Sequence, residues 1–175
     1  MKKTVLALLA LSILVFSGCS DKKVENPNIQ TINSLTNDIT VGKTFQNITL
    51  KDQFDKPVTL SDKTTKVIFV FKKASGHTAR ALLDSKPDDY LLNKNVAFIA
   101  DISGMPSIIA SMFAIPDFKK HKYSVMLIRD EKISEKYRSD KYENYIAIIS
   151  LNNFKITKIT LVSKENQLEK ILEQQ

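Results

Sequence analysis

Three short, nearly unbroken apolar runs set the fold of this chain: residues 66–71 (KVIFVF), 96–100 (VAFIA) and 124–128 (SVMLI). Such runs, with β-branched and aromatic side chains and too few residues for a helix, suit strands buried on both faces. Helical signals lie between them. Residues 79–85 (ARALLDS) are helix formers, and 88–93 (DDYLLN) resume after Pro87. Residues 106–114 (PSIIASMFA) place proline in a first turn and Ile108, Ile109, Met112 and Phe113 on one helix face. Strands alternating with helices predict a βαβ core with parallel central strands. Segments 47–51 (NITLK) and 58–60, flanking the turn DQFDKP, predict an opening hairpin. A second is expected from 145–151 (YIAIISL) and 155–162 (KITKITLV), turning at Asn152 and Asn153. Ser163 is expected to cap a closing helix with Leu168, Ile171 and Leu172 as its apolar stripe. The expected class is α/β, with a central mixed sheet bounded by an N-terminal hairpin and by a C-terminal hairpin plus helix.

The N-terminus speaks to location. Lys2 and Lys3 precede an apolar run at 5–16 broken only by Ser12, and Ser17 and Gly18 lead into Cys19, the chain's one cysteine. The run is too short to span about 30 Å of hydrocarbon, so residues 1–18 read as a signal peptide. Phe16-Ser17-Gly18-Cys19 resembles the bacterial lipobox, with Phe16 where leucine is usual. The resemblance implies cleavage before Cys19, diacylglycerol on its sulfur and an acyl chain such as palmitate on its amine. Each buried methylene is worth about 0.8 kcal/mol, so these chains would hold the protein to a membrane. Ser20, rather than Asp, follows the cysteine; by the enterobacterial sorting rule this favours the outer membrane, with the protein facing the periplasm. Residues 19–40 are polar and show no apolar period, which predicts a flexible lipidated tether. Residues 41–175 are expected to form the folded domain.

Without the leader, 24 basic residues face 19 acidic ones, a net charge of +5. The lysines are spread among acids along the chain instead of gathered in a stripe. This argues against nucleic acid as a partner and for a solvated surface with weak attraction to anionic headgroups.

Several phrases carry a family resemblance. Val41-Gly42-Lys43, Phe45, Ile48-Thr49-Leu50 and the run from Asp52 to Ser61 look like the opening hairpin of the thioredoxin-like group that includes peroxiredoxins and thiol-reductases. Residues 66–71 resemble its first core strand, and Ile148-Ile149-Ser150-Leu151-Asn152-Asn153 its late strand and turn. Small cysteine-free periplasmic thioredoxin-like proteins are also similar. The resemblance spans about residues 41–173 and implies a three-layer thioredoxin-like fold. It also locates a departure: the group's nucleophilic cysteine lies just after the first core strand, where this chain has Lys72-Lys73-Ala74-Ser75-Gly76-His77-Thr78-Ala79-Arg80-Ala81-Leu82. Aligned on Thr78, Ala81 takes the position of the peroxidatic cysteine. No proline stands near Asn144 and Tyr145, where the group places its cis-proline. Thiol–disulfide exchange needs a thiolate, so a mature chain without one in residues 20–175 cannot act as a peroxidase, disulfide isomerase or thiol-linked copper chaperone.

What is left at that position is Lys73, Gly76, His77, Thr78 and Arg80. The resemblance puts them at a helix N-terminus, where unpaired N–H groups and the helix dipole favour anions, with Asp101 at the end of the next strand expected nearby. Two readings stand: a small ligand or partner cleft, or a helix start capped by Ser75 or Thr78. His77 and His121 have no spacing that builds a metal site, and His121 sits among Lys119, Lys120 and Lys122 as an expected solvated side chain. With glycine only at 18, 42, 76 and 104, no GxGxxG or P-loop can be written, and no GxSxG elbow is present. No cofactor is therefore expected. The functional expectation is a redox-inactive, membrane-anchored binding or scaffolding module in the cell envelope with a protein partner. The alternatives are anion or cofactor binding around His77 and Arg80, and an enzyme using His77 as acid or base.

Overall fold

The computed structural model describes residues 29–174, and the expected leader and Cys19 lie outside them. The three apolar runs form β4 (Lys66–Val70), β5 (Val96–Asp101) and β6 (Met126–Ile128). β4 and β5 pair in parallel, as do β5 and β6. The opening hairpin is β2 (Thr49–Asp52) with β3 (Pro57–Thr59), and the late hairpin is β7 (Ile146–Asn152) with β8 (Lys155–Val162). A further strand, β1 (Gln30–Ile32), pairs antiparallel with β8, giving one mixed sheet in the order β1-β8-β7-β4-β5-β6-β2-β3.

Alternation along the strands builds two cores. Ile68, Val70, Phe98, Ala100, Ile146 and Ile148 point to one face. There they meet Ala79, Leu82 and Leu83 of α1 (Lys73–Asp84) and Leu168, Ile171 and Leu172 of α6 (Glu165–Glu173). Val67, Phe69, Ile99, Ala147 and Ile149 point to the other, against Leu35, Ile39, Phe45, Leu60 and Tyr137. Phe69 stacks on Tyr137 with ring centroids 5.3 Å apart, and Phe45 packs on both. The short helices α2 (Tyr90–Asn93) and α5 (Glu131–Ser134) lie in the connections.

Four expectations change. Residues 30–40, expected as tether, belong to the fold: β1 is on the sheet, Leu35 and Ile39 are buried, and Val41 N donates to Asn33 O at 2.8 Å. The late turn is Asn153-Phe154, both with positive φ, one residue beyond the expected pair. Ser163 does not cap α6; the Gln167 carboxamide oxygen accepts from the backbone N–H groups of Ser163 and Lys164 instead.

The fourth concerns residues 106–114. The helical path is α3 (Ser107–Ile109), a π turn at Ala110–Ala114 and α4 (Ile115–Phe118). Pro116 has no N–H for the carbonyl four residues back and its ring crowds that carbonyl, so the backbone widens just before it. Ala110, Met105, Ile115 and Phe118 turn to the core. The predicted apolar face therefore points to solvent, with Ile108 70%, Met112 61% and Phe113 63% exposed.

Candidate functional site

α1 begins at Lys73, directly after the last residues of the first core run, and not at 79 as its composition predicts. Its first turn, 73–76, holds the N–H groups without helical partners apart from that of Gly76, which already donates to Lys72 O at 2.9 Å. His77, Thr78 and Arg80 thus lie in the body of the helix, past the anion-favouring end. Neither expected cap forms. Ser75 Oγ donates to Lys72 O at 3.0 Å and Thr78 Oγ1 to Ala74 O at 3.2 Å, so both hydroxyls bond carbonyls and leave the amides alone. A Cβ at Gly76 would meet Val70 at 3.8 Å, an ordinary contact, so packing there does not demand glycine. Lys73 is exposed.

Asp101 lies elsewhere. Residues 99 and 101 of β5 share the face opposite α1, and the Asp101 carboxylate is 2% exposed there. It accepts from Ser103 N at 2.9 Å, Ser103 Oγ at 2.7 Å and Ser134 Oγ at 2.5 Å, with Arg138 at 3.7 Å. These contacts tie the end of β5 to α5. The candidate residues therefore separate into three places, and only His77 and Arg80 remain together.

Arg80 is the centre of a cluster that residues 37 and 41 positions away complete. Its side chain, 11% exposed, donates through Nη1 to Asp117 Oδ2 at 2.5 Å. The same nitrogen is 3.2 Å from His121 Nε2, and Nη2 is 3.0 Å from His77 Nδ1. The guanidinium also lies over the Phe118 ring, 5.4 Å from its centroid. Guanidinium nitrogens only donate, so both histidine nitrogens that face Arg80 must accept. His121 then carries its proton on Nδ1 and donates it to Asp84 Oδ1 at 2.6 Å, and the Tyr123 hydroxyl donates to the same oxygen at 3.0 Å. Tyr123 stacks on the His121 ring at 5.4 Å. Buried Gln53 holds the strand entrance by donating to Tyr123 O and accepting from Val125 N, each at 2.8 Å.

The electrostatics follow from these contacts. The Arg80 hydrogen bond holds the Asp117 carboxyl below the usual aspartate range. Burial, then the Asp84 charge, pushes the Tyr123 phenol above the tyrosine range. The cluster borders a cavity of about 310 Å³ lined by His77, Arg80, Ala81, Asp84, Asp117 and His121. Sequence reading missed His121, Asp84, Asp117 and Tyr123. His121 was expected in solvent, yet its side chain is 10% exposed. Its lysine neighbours are local, whereas its partners come from α1 and α4. Among the described residues no three His, Cys, Asp or Glu side chains gather as a metal ligand set.

Comparison with solved structures decides the architecture. A candidate protein disulfide isomerase from Bacteroides thetaiotaomicron superposes with a TM-score of 0.53 at 21% identity, covering 81% of this chain and 91% of its own. A candidate thiol:disulfide interchange protein DsbE from Chlorobium tepidum gives 0.52 at 14% identity, with 77% and 93% covered. The fold is thioredoxin-like. The thioredoxin domain of a thiol-disulfide oxidoreductase from Bacteroides vulgatus agrees, with a TM-score of 0.51, 17% identity and coverage of 77% and 99%. No family model and no curated protein sequence matches the chain. The thioredoxin-like neighbours are thiol enzymes by name, whereas residues 20–175 of this chain contain no cysteine. Arginine, histidine and carboxylate side chains occupy the α1 face here.

Proposed function

We propose that this thioredoxin-like chain is a redox-inactive lipoprotein, anchored through Cys19 and acting as a binding or scaffolding module in the cell envelope, facing the periplasm with the outer membrane favoured. The observation that carries the reading is a thioredoxin-like fold without a thiol after residue 19. The scaffold of a thiol exchanger is present, and its nucleophile is not. The lipobox-like FSGC and the basic, apolar leader support the anchor. Against anion binding, the Arg80 charge is already met by Asp117. Against acid–base catalysis by His121, its Nε2 faces a guanidinium and its Nδ1 faces Asp84, so neither nitrogen is open to a substrate; at exposed His77 only Nδ1 is engaged, by Arg80.

Photo-crosslinking in the native envelope tests the binding module. A photoreactive residue replaces exposed His77, and a control replaces exposed Lys170 on α6. A discrete protein adduct from position 77 alone supports docking at the α1 face. Exported probe that yields no adduct there removes that docking site from the proposal. Metabolic labelling with a palmitate analogue tests the anchor: label on the wild-type chain and none on Cys19→Ser is the expected result.

A further inference from the structure

We propose that the outward face of the helical segment 107–113 docks on an anionic phospholipid surface. Ile108, Ile109, Met112 and Phe113 stand on one side of this segment, and among the described residues nothing covers them. Single exposed apolar side chains are common, but four large ones side by side mark a contact surface. The helix turns its small residue, Ala110, to the core and its bulky ones outward. That inverts the usual amphipathic placement and matches a helix lying in a membrane interface, with apolar side chains down and lysines around them.

Two observations point to a bilayer as the occupant. The first is charge. Residues 107–122 contain Lys119, Lys120 and Lys122 against the single acid Asp117, and all three lysines are exposed, Lys120 in a surface ion pair with Asp117 and Lys122 in one with Asp88. Basic side chains beside an inserted apolar face are attracted to anionic headgroups by about 1 kcal/mol each near the surface. The second is where the chain emerges. Ile29 packs on the same core as Met105, Ile115 and Phe118, so the start of the described chain and this helix share one face of the sheet. From β1 to β6 there are five strand intervals, about 24 Å at the usual spacing. The ten residues from Cys19 to Ile29 reach about 34 Å when extended. A lipid anchor at Cys19 can therefore sit in the bilayer that the helix face touches. The choice of occupant rests on the anchored reading of the previous subsection, but the contact itself needs no lipid on the protein.

The test uses residues 20–175, which contain both cores and every described strand but no cysteine. The chain is floated with vesicles of phosphatidylglycerol and phosphatidylethanolamine, and separately with phosphatidylcholine alone. Binding to the anionic vesicles is expected, weakened about tenfold in each of Ile108→Ser and Phe113→Ser. Leu92→Ser, which alters an exposed apolar residue on α2 outside the face, is expected to bind as the parent does. All three variants should melt with the parent, since none removes a buried contact. A parent that stays off anionic vesicles, or Ile108→Ser and Phe113→Ser proteins that float as well as the parent, overturns the proposal. So does a dimer in sedimentation that both substitutions dissolve, which would assign the face to a second copy. Because this protein carries no lipid, failure of Cys19 labelling leaves the vesicle result standing, and failure of the vesicle result leaves the labelling standing.

Discussion

Arg80 shows how one residue can join elements that its sequence neighbourhood does not connect. It stands on α1, yet its charge is answered by Asp117 of α4 and its planar group lies on Phe118. Arg80→Met keeps a long apolar stem but leaves His77 Nδ1 and His121 Nε2 without the donor they face, and Asp117 with Lys120 as its remaining basic partner. We expect it to cost about 2 kcal/mol, read as a fall in the midpoint of denaturant unfolding. His77→Ala, at the exposed rim, should stay within about 0.5 kcal/mol of the parent in the same assay. Equal losses from the two would show that the cluster is not centred on Arg80. At this scale the sequence was only partly legible. Arg80 and His77 were found because they fall in the segment where the group that the sequence resembles is expected to keep its nucleophile. Asp101 was misplaced although its address was available: it lies two residues after Ile99, and strand alternation puts both on the face away from α1. His121 could not have been found locally, because its three lysine neighbours describe a solvated turn while its partners, Asp84 and Arg80, lie 37 and 41 residues away.

Among the elements, the strands were legible and the helix ends were not. An apolar run of five or six residues has few options, so β4 and β5 fall within one residue of their expected ends. α1 starts six residues earlier than its helix formers suggest. Ser75 and Gly76 are poor helix formers that packing on the sheet overrides, as tertiary contacts commonly do. Residues 30–40 were read as a tether because they are polar on average, but Leu35 and Ile39 close the second core and β1 completes the sheet edge. That difference is measurable. Ile39→Ala should destabilise by about 2–4 kcal/mol, as expected for a large-to-small change at a buried site. A true tether residue would show no change in thermal or denaturant unfolding. A change below about 0.5 kcal/mol would return the segment to the tether and move the domain boundary back toward residue 41.

For the whole molecule, topology follows from the alternation of strand and helix, and what the sequence could not show is how distant side chains brace it. Carboxylates held by basic partners span separated elements. Asp117 joins α4 to Arg80 on α1, Glu173 joins α6 to Lys94 after α2, and Asp55 joins the opening hairpin to Arg129 after β6. In each, hydrogen bonding to the basic partner lowers the carboxyl pKa. A lowered carboxyl contributes stability that is present above its unfolded pKa and lost as pH falls through the folded value. The acid limb should therefore begin near pH 4, where free carboxylates take up protons. On the alkaline side Tyr123, Tyr90 and Tyr137 are all raised, chiefly by burial. A raised phenol contributes stability below its unfolded value near pH 10, and loses it as pH climbs toward the folded one. Thermal unfolding followed by circular dichroism should thus show Tm dropping both below about pH 4 and above about pH 10. Tyr123→Phe should flatten the alkaline drop while leaving the acid limb in place, and Asp117→Asn should soften only the acid limb. If Tyr123→Phe instead left the alkaline slope untouched, the buried phenol beside Asp84 would not be what limits the fold at high pH. The brace formed by α1, His121 and the entrance to β6 would then be weaker than its geometry implies.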